Sequence, residues 1–588
     1  MQRSGVFGAM QSISLFVELL RTRPRLLFAA MAALQIVLWT LVPALFYASP
    51  PGHLPLVLAI GHEFQFGTEF GPPLAFWLAE IAYRSAGMTG VYFLSQICIA
   101  VTFWAVFALG RVMVGAPQAA MAVLLMAGIA VFSVPTPEFG PAILAAPLWA
   151  LILLHYWTGS QRGRWIAWVA LGLEAGLLLL TTYAGLILIG LLVLYTLATA
   201  YGRAQMDTIG PWIAGVMMVA VLFPHLIWLD LSASINFLDL PTIVANLHIW
   251  SRLALALLLS HAGMAILIVL GCGWVIASAG PAPVVTRPPV HPAARGFVYF
   301  FALTPIVAMG LFALFSRRPE NFLAAPLVVM SGLAVIVAAG DRIRIEHQYL
   351  IGYAWVVLMV LPPLLVALAI VVQPWTLASD LTIGRPAAEM GQFFGDSFAR
   401  RTGRPLAIVA GDETLAPLVA LGAPSRPSLY LESAPDDRPR VTRQDIAEKG
   451  AVIVWPATDT AGRPPPGIAR QFPDLAIEVP RAFERQYQGR MPLMRVGWGM
   501  IRPRTERSGP PPRPVQAAPP PEPPVAPPQP PQPRPVQPAP PPPAPPAPPP
   551  PPEVEPQPRV EPPPRVEPQP PRQRPRRPPE LQQPQPPL

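Results

Sequence analysis

Between residues 27 and 372 the chain carries eleven apolar runs, most of them near twenty residues long and parted by short polar breaks. A helix needs about 20 apolar residues to cross a bilayer, where unpaired backbone groups are too costly for any other open structure. The runs lie at 27–47, 91–109, 119–134, 141–157, 166–180, 184–201, 212–229, 253–277, 297–315, 322–339 and 351–372, and they predict a polytopic α-helical membrane protein of about eleven transmembrane helices. Composition agrees, with 13% of residues charged and a mean hydropathy of +0.43, against about 25% charged in soluble domains. The first run has no small-residue cleavage site before Ser49-Pro50-Pro51 and reads as an uncleaved anchor.

Positive residues near span ends stay in the cytoplasm. With the N-terminus inside, inner loops hold twelve arginines and outer loops four, Arg84, Arg252, Arg317 and Arg318. Residues 1–25 then form a cytoplasmic segment and 26–373 the membrane region. The first outer loop (48–90), the turn 135–140, the loop 230–250 and everything after Pro374 face outward. From 374 to 505 short β-like runs (406–410, 452–455, 476–479) alternate with helix-like ones (387–401, 413–421, 443–449), which predicts a small periplasmic α/β domain. From 506 to 588 the chain is proline-rich, with 41 of the 82 prolines and almost nothing apolar to bury, so a disordered, polyproline-like tail is expected.

The formal net charge of +9 is almost all arginine, scattered along loops with no aromatic interleaving, which argues against nucleic acid as a partner. Cys98 and Cys272 both sit in apolar runs and the eight histidines have no metal-ligand spacing, so neither a disulfide framework nor a metal cluster is predicted.

Chemistry points to the first outer loop, where Gly61 to Trp77 reads G-H-E-F-Q-F-G-T-E-F-G-P-P-L-A-F-W. Glu63 and Glu69 are carboxylates at the mouth of a helix bundle. Pro72-Pro73 starts a helix with Phe76, Trp77, Ile81 and Ala82 on one face and Glu80 and Arg84 spaced to pair on the other, which would lie flat at the membrane surface. An interfacial connector with no site satisfies the same spacing.

G-T-E-F-G-P-P-L-A-F-W resembles the G-Y-x-x-H-P-P-L-x-x-W signature in the first outer loop of bacterial glycosyltransferase family 39, which includes dolichyl-phosphate-mannose protein mannosyltransferases and the lipid A aminoarabinose transferase. P-E-F-G-P-A-I-L-A-A-P-L-W-A-L (137–151) and R-R-P-E-N-F-L-A-A-P (317–326) are similar to later segments of that family, and G-R-P-L-A-I-V-A-G-D-E and V-G-W-G-M-I-R-P look like its soluble domain. The resemblance implies a C-type membrane glycosyltransferase in a bacterial inner membrane. It implies inverting transfer of a sugar from a polyprenyl-phosphate carrier to a lipid, polysaccharide or protein acceptor. An outer-loop carboxylate takes the proton of the acceptor hydroxyl, which is otherwise a weak nucleophile, and positive charge or a cation meets the leaving phosphate. A divalent cation is compatible with this chemistry, though no visible motif requires one.

The chain departs from the family pattern in the loop itself. Residues 49–56 lack the upstream carboxylate and offer only His53, while Gly71 and Thr68 replace the family's basic residue and tyrosine. Glu63 is the first candidate base, ahead of Glu69 and Glu138. His62, Pro72, Pro73, Glu138, Tyr183, Arg317, Arg318 and Asn321 are candidate substrate-binding residues, with Asp230 and Asp239 behind them. Arg317 and Arg318 would suit the lipid phosphate, or simply headgroups. The missing upstream carboxylate favours a rival, a catalytically degenerate scaffold whose soluble domain and tail bind envelope partners. A transporter would show intramembrane charges and matching halves, whereas only Glu174 lies well inside a span and no repeat is visible.

Overall fold

The computed structural model describes residues 18–504 apart from 19, 21, 69, 135–136, 233–242, 273–283, 316–323, 377–380, 432–440, 458–461, 488 and 491–492. The proline-rich stretch 506–588 lies outside the described residues.

The membrane region runs through α1 (Pro24–Phe46), α2 (Leu54–Gly61), α3 (Leu74–Met113), α4 (Ala116–Met126), α5 (Ala130–Ser133), α6 (Pro141–Arg162), α7 (Trp165–Leu179), α8 (Gly185–Ala198), α9 (Ala200–Met206), α10 (Gly210–Ser232), α11 (Ile243–Ser260) and α12 (Ala262–Gly271). A short hairpin of β1 (Val284–Thr286) and β2 (Arg342–Arg344) brackets α13 (Pro292–Phe315), α14 (Ala324–Leu327) and α15 (Ser331–Ala338); α16 (Gln348–Thr376) follows. Among the described residues, seven helices are long and apolar enough to cross a membrane, or eight if α8 and α9, bent by 102°, count as one span. This is a polytopic membrane protein. The eleven expected runs all contain helix, but 119–134, 166–180 and 322–339 hold shorter or broken ones. Gly128 shows why the first of these stops: a Cβ there would meet the backbone of Gly263 and Met264, so the chain turns where two backbones touch. Such breaks are tolerated at membrane depth where neighbouring protein covers them. Glu174 of α7, the carboxylate inside a span, is paired with His155 of α6 at 2.8 Å.

In α3 the helical ladder is interrupted at Ala86 and Gly87, the latter with φ +60° and ψ −150°, a conformation open essentially to glycine alone. The break separates a surface segment, 74–85, from the span beyond it.

After α16 come α17 (Ala387–Thr402), β3 (Ile408–Gly411), α18 (Ala416–Gly422), β4 (Ser428–Leu431), α19 (Arg443–Lys449), β5 (Ala451–Pro456), α20 (Pro466–Gln471), β6 (Ala476–Phe483) and β7 (Met494–Ile501). The strands form one sheet of order β4-β3-β5-β7-β6, with β3 parallel to β4 and β5, and β7 antiparallel to β5 and β6. Phe394, Phe398, Val419, Val454 and Trp498 pack on one face. The helix-like and β-like runs named from the sequence all hold elements; β4, β7 and α20 add to them. Gly403 and Gly450 cap α17 and α19 as their placement predicts.

α19 opens on a capping box. Thr442 Oγ1 accepts from the Asp445 N–H at 3.1 Å, and the Asp445 carboxylate accepts from the Thr442 N–H at 3.0 Å. The Lys449 ammonium, then the Thr442 hydroxyl and N–H, hold Asp445 down to about 2 from its ordinary 3.8. A carboxylate depressed on folding stabilises the fold above its unfolded value and loses that contribution as pH falls through the folded one. Asp445→Asn should therefore cost about 1 kcal/mol at neutral pH. In thermal melts of the full chain, its deficit against wild type should shrink as pH drops below 3.8 towards 2.

Candidate active site

The loop 48–90 is fastened from several directions. The N–H groups of Ala48 and Ser49 donate to the carbonyl of Ile383 at 2.9 and 3.1 Å, and Ser49 Oγ donates to Thr382 O at 2.6 Å. Further along, the Trp77 indole donates to Gln65 O at 2.8 Å, and Phe66 meets Trp77 edge-on. Thr68 and Gly71 exchange backbone bonds at 3.0 and 3.1 Å, a tight turn that delivers the buried Pro72-Pro73 to the start of α3. Pro73 is the N-cap residue of that helix, one position before the expected first turn.

The helix from Leu74 carries the expected Glu80–Arg84 pair at 2.9 Å, but its carboxylate is buried in protein. Glu80 is only 3% exposed while Ile81 is 53% exposed. The reason lies beyond the last span. Arg426, in the loop before β4, donates through Nη2 to Glu80 Oε2 at 2.9 Å and to Leu58 O at 2.9 Å, and its guanidinium stands 5.0 Å from the Tyr83 ring centre. Its backbone has φ +47°, a left-handed conformation costing about 1–2 kcal/mol for a residue with a side chain. A buried carboxylate needs such partners. Ala59 of α2 joins the core that packs against the sheet, with Leu56 and Phe70 beside it.

Glu63, Glu80 and Glu138 differ in what occupies their carboxylate oxygens. Glu63 is half-buried: Ser428 Oγ donates to Oε1 at 2.8 Å and Gln65 Nε2 to Oε2 at 3.0 Å. Glu80 gives both oxygens to arginines. Glu138 arrives from the turn before α6, where its Oε1 accepts the backbone N–H of His53 at 3.0 Å. The second oxygen of Glu138 has no hydrogen-bond partner among the described residues. The stretch 49–56, which has no carboxylate of its own, is thus furnished with one from a loop 85 residues away. Gly52 makes room for it, with φ +52° and a Cβ position that would overlap the Glu138 carboxylate. Gly52→Ala combines that overlap with a left-handed backbone. It should lower turnover in a sugar-transfer assay far more than the roughly 1 kcal/mol backbone cost alone would affect folding, read as melting temperature.

Beside the loop, Tyr183 Oη donates to His225 Nε2 at 3.0 Å, and His225 Nδ1–H donates to Phe66 O at 2.6 Å. The imidazole stacks on Trp228, whose ring also fills the space a Cβ on Gly67 would need. Burial pushes the Tyr183 hydroxyl up to about 12, so it remains a neutral donor. His225, only 1% exposed on α10, is a residue sequence reasoning passed over; a histidine inside an apolar run, after Pro224, was the available signal. His62 is tied to its own helix through Nδ1 and Ala59 O at 2.7 Å, while its carbonyl accepts from Arg84 at 3.3 Å. Glu69, Arg317, Arg318 and Asn321 lie outside the described residues, as does Asp239. Among the described residues no group of three or more His, Cys, Asp or Glu is placed to hold a metal ion.

In comparisons with known proteins, residues 71–228 match the dolichyl-phosphate-mannose-protein mannosyltransferase family. The structure is similar to ArnT from Cupriavidus metallidurans bound to undecaprenyl phosphate, at 14% identity over 80% of this chain and 97% of that one, with a TM-score of 0.50. The apo form of the same protein gives 14% identity over the same shares and a TM-score of 0.41. The apo Archaeoglobus fulgidus oligosaccharyltransferase gives 13% identity over 68% of this chain and 64% of that one, with a TM-score of 0.37. No curated protein matches the chain in sequence. The fold is similar to that of ArnT. The likeness to glycosyltransferase family 39 read from the loop motifs is borne out.

Proposed function

We propose that the protein is an inner-membrane glycosyltransferase that moves a sugar, with inversion, from a polyprenyl-phosphate carrier to a hydroxyl on a periplasmic acceptor, and that Glu138 is its general base. The observation that carries this reading is the Glu138 carboxylate, fixed at Gly52 and His53 through one oxygen while the other remains open to accept a proton. A base must reach the hydroxyl it activates. The same need disfavours Glu80, whose oxygens are committed to arginines, and sets Glu63 behind Glu138, since Ser428 and Gln65 occupy both of its oxygens.

In the step itself, the acceptor oxygen bonds to the anomeric carbon as the carbon–oxygen bond to the carrier phosphate breaks. The proton passes to Glu138 and polyprenyl phosphate leaves. Arg317, Arg318 and Asn321 are the groups we assign to that phosphate, with a divalent cation as an alternative counter-charge. Tyr183, His62 and the Pro72-Pro73 turn shape the acceptor side. The sequence from 374 to 505 is the periplasmic domain that covers the loop, the N-terminus is cytoplasmic, and the carrier is of the kind named for the ArnT complex, undecaprenyl phosphate.

The test is transfer by the full chain in proteoliposomes, supplied with radiolabelled polyprenyl-phosphate hexoses and pentoses and with envelope lipid, polysaccharide and protein acceptors. At least one donor should be consumed to give product of inverted anomeric configuration. A wild-type protein inert towards every donor would establish the degenerate scaffold instead.

A further inference from the structure

α6 runs 22 residues from the Glu138 turn to Arg162, about 33 Å at 1.5 Å per residue. At its far end is a cavity of ≈ 410 Å³ between α6, the α8–α9 bend and the start of α13. Its walls include the aromatic residues Tyr156, Trp157, Tyr195, Tyr201 and Phe300. These rings are braced: Tyr156 stacks on Phe297, Tyr195 packs on Phe300 at 5.2 Å, and Tyr201 Oη donates to Ser160 O. Among the described residues none that lines the cavity is acidic.

Arginines flank its wall in sequence. Arg162 follows the lining residue Gln161, Arg295 precedes the lining residue Gly296, and both are exposed. Arg203 Nη1 donates to the carbonyls of Leu197 and Ala198 at 2.9 and 3.3 Å, and Ala198 is itself in the wall. Nearby, Trp165 and Trp212 are 64% and 62% exposed at the first turns of α7 and α10, as side chains of an interfacial aromatic belt are. An apolar chamber at the lipid boundary whose wall is flanked by three arginines is complementary to an amphiphile with an apolar tail and a negative head.

We propose that this cavity holds an acyl chain of an anionic phospholipid from the leaflet at that end of the spans, with its phosphate met by Arg162, Arg203 and Arg295. The site is separate from the sugar-transfer site and does not depend on that chemistry. Gly296 gives a clean probe, because a side chain built there meets nothing within 4 Å and so projects into open space.

The experiment is native mass spectrometry of the full chain in detergent, titrated with phosphatidylglycerol or phosphatidylcholine of identical acyl chains. Wild type should retain one phosphatidylglycerol about a hundredfold more tightly than phosphatidylcholine, since each of the three arginines near the headgroup contributes about 1 kcal/mol. Arg162→Gln with Arg295→Gln should remove most of that preference. Gly296→Leu, with an unchanged melting temperature, should lower occupancy by both lipids. Excess inorganic phosphate should not displace the lipid; displacement would indicate a plain phosphate site and overturn the proposal. Equal retention of the two lipids by wild type, or wild-type occupancy in Gly296→Leu, would overturn it as well.

Discussion

Glu138→Gln should lower kcat for sugar transfer by about 10²–10⁴-fold, the usual worth of a positioned general base, with little change in KM or melting temperature. The amide keeps the size of the side chain, and its oxygen can still accept the His53 N–H that anchors Glu138 at 3.0 Å. Only the capacity to take a proton is removed. Glu63→Gln is the matched control. Its amide can still satisfy either Ser428 or Gln65, so turnover should stay near wild type while the loop loosens slightly. Full activity in Glu138→Gln together with collapse in Glu63→Gln would restore Glu63 as the base and defeat the assignment.

The second large effect concerns folding. Glu80→Ala should destabilise the protein by about 3 kcal/mol, because removing one partner leaves the rest of a buried pair uncompensated. Most of that cost belongs to Arg426, whose side chain is 19% exposed; Arg84, at 59%, contributes little. The Arg426 backbone holds an unfavourable φ, so its bonds to Glu80 and Leu58 outweigh that strain. Arg426→Ala should cost a similar amount, and the double substitution clearly less than the sum of the two, since they break one contact. Thermal melts and limited proteolysis of the sheet region would read this out. Additive losses would mean that the two side chains do not act as a pair.

How much of this was legible in the chain depends on the distance over which each signal acts. Apolar runs, the Pro72-Pro73 helix start, the Glu80–Arg84 spacing and the glycine caps at 403 and 450 are local, and each corresponds to a described feature. The facing of 74–85 was not legible. Glu80 read as part of a charged outer face, and it is buried instead because Arg426, 346 residues later, supplies a counter-charge. The site behaved likewise. Residues 49–56 contain no carboxylate, and nothing in the periodicity of 137–151 announces that Glu138 folds back onto Gly52 and His53. β4 and β7 were missed for a different reason: β4 is four residues long, and β7 carries Gly497 and Gly499, which dilute its strand pattern.

The ties between the loop 48–90 and Ile383, Arg426 and Ser428 also bear on how the molecule comes into being. The ribosome makes the loop early and its fasteners hundreds of residues later, after the last helix has entered the bilayer. A nascent chain therefore waits through most of its synthesis with an unfinished mouth. The loop is complete only when the final globular portion has been made and has closed over residues synthesised long before.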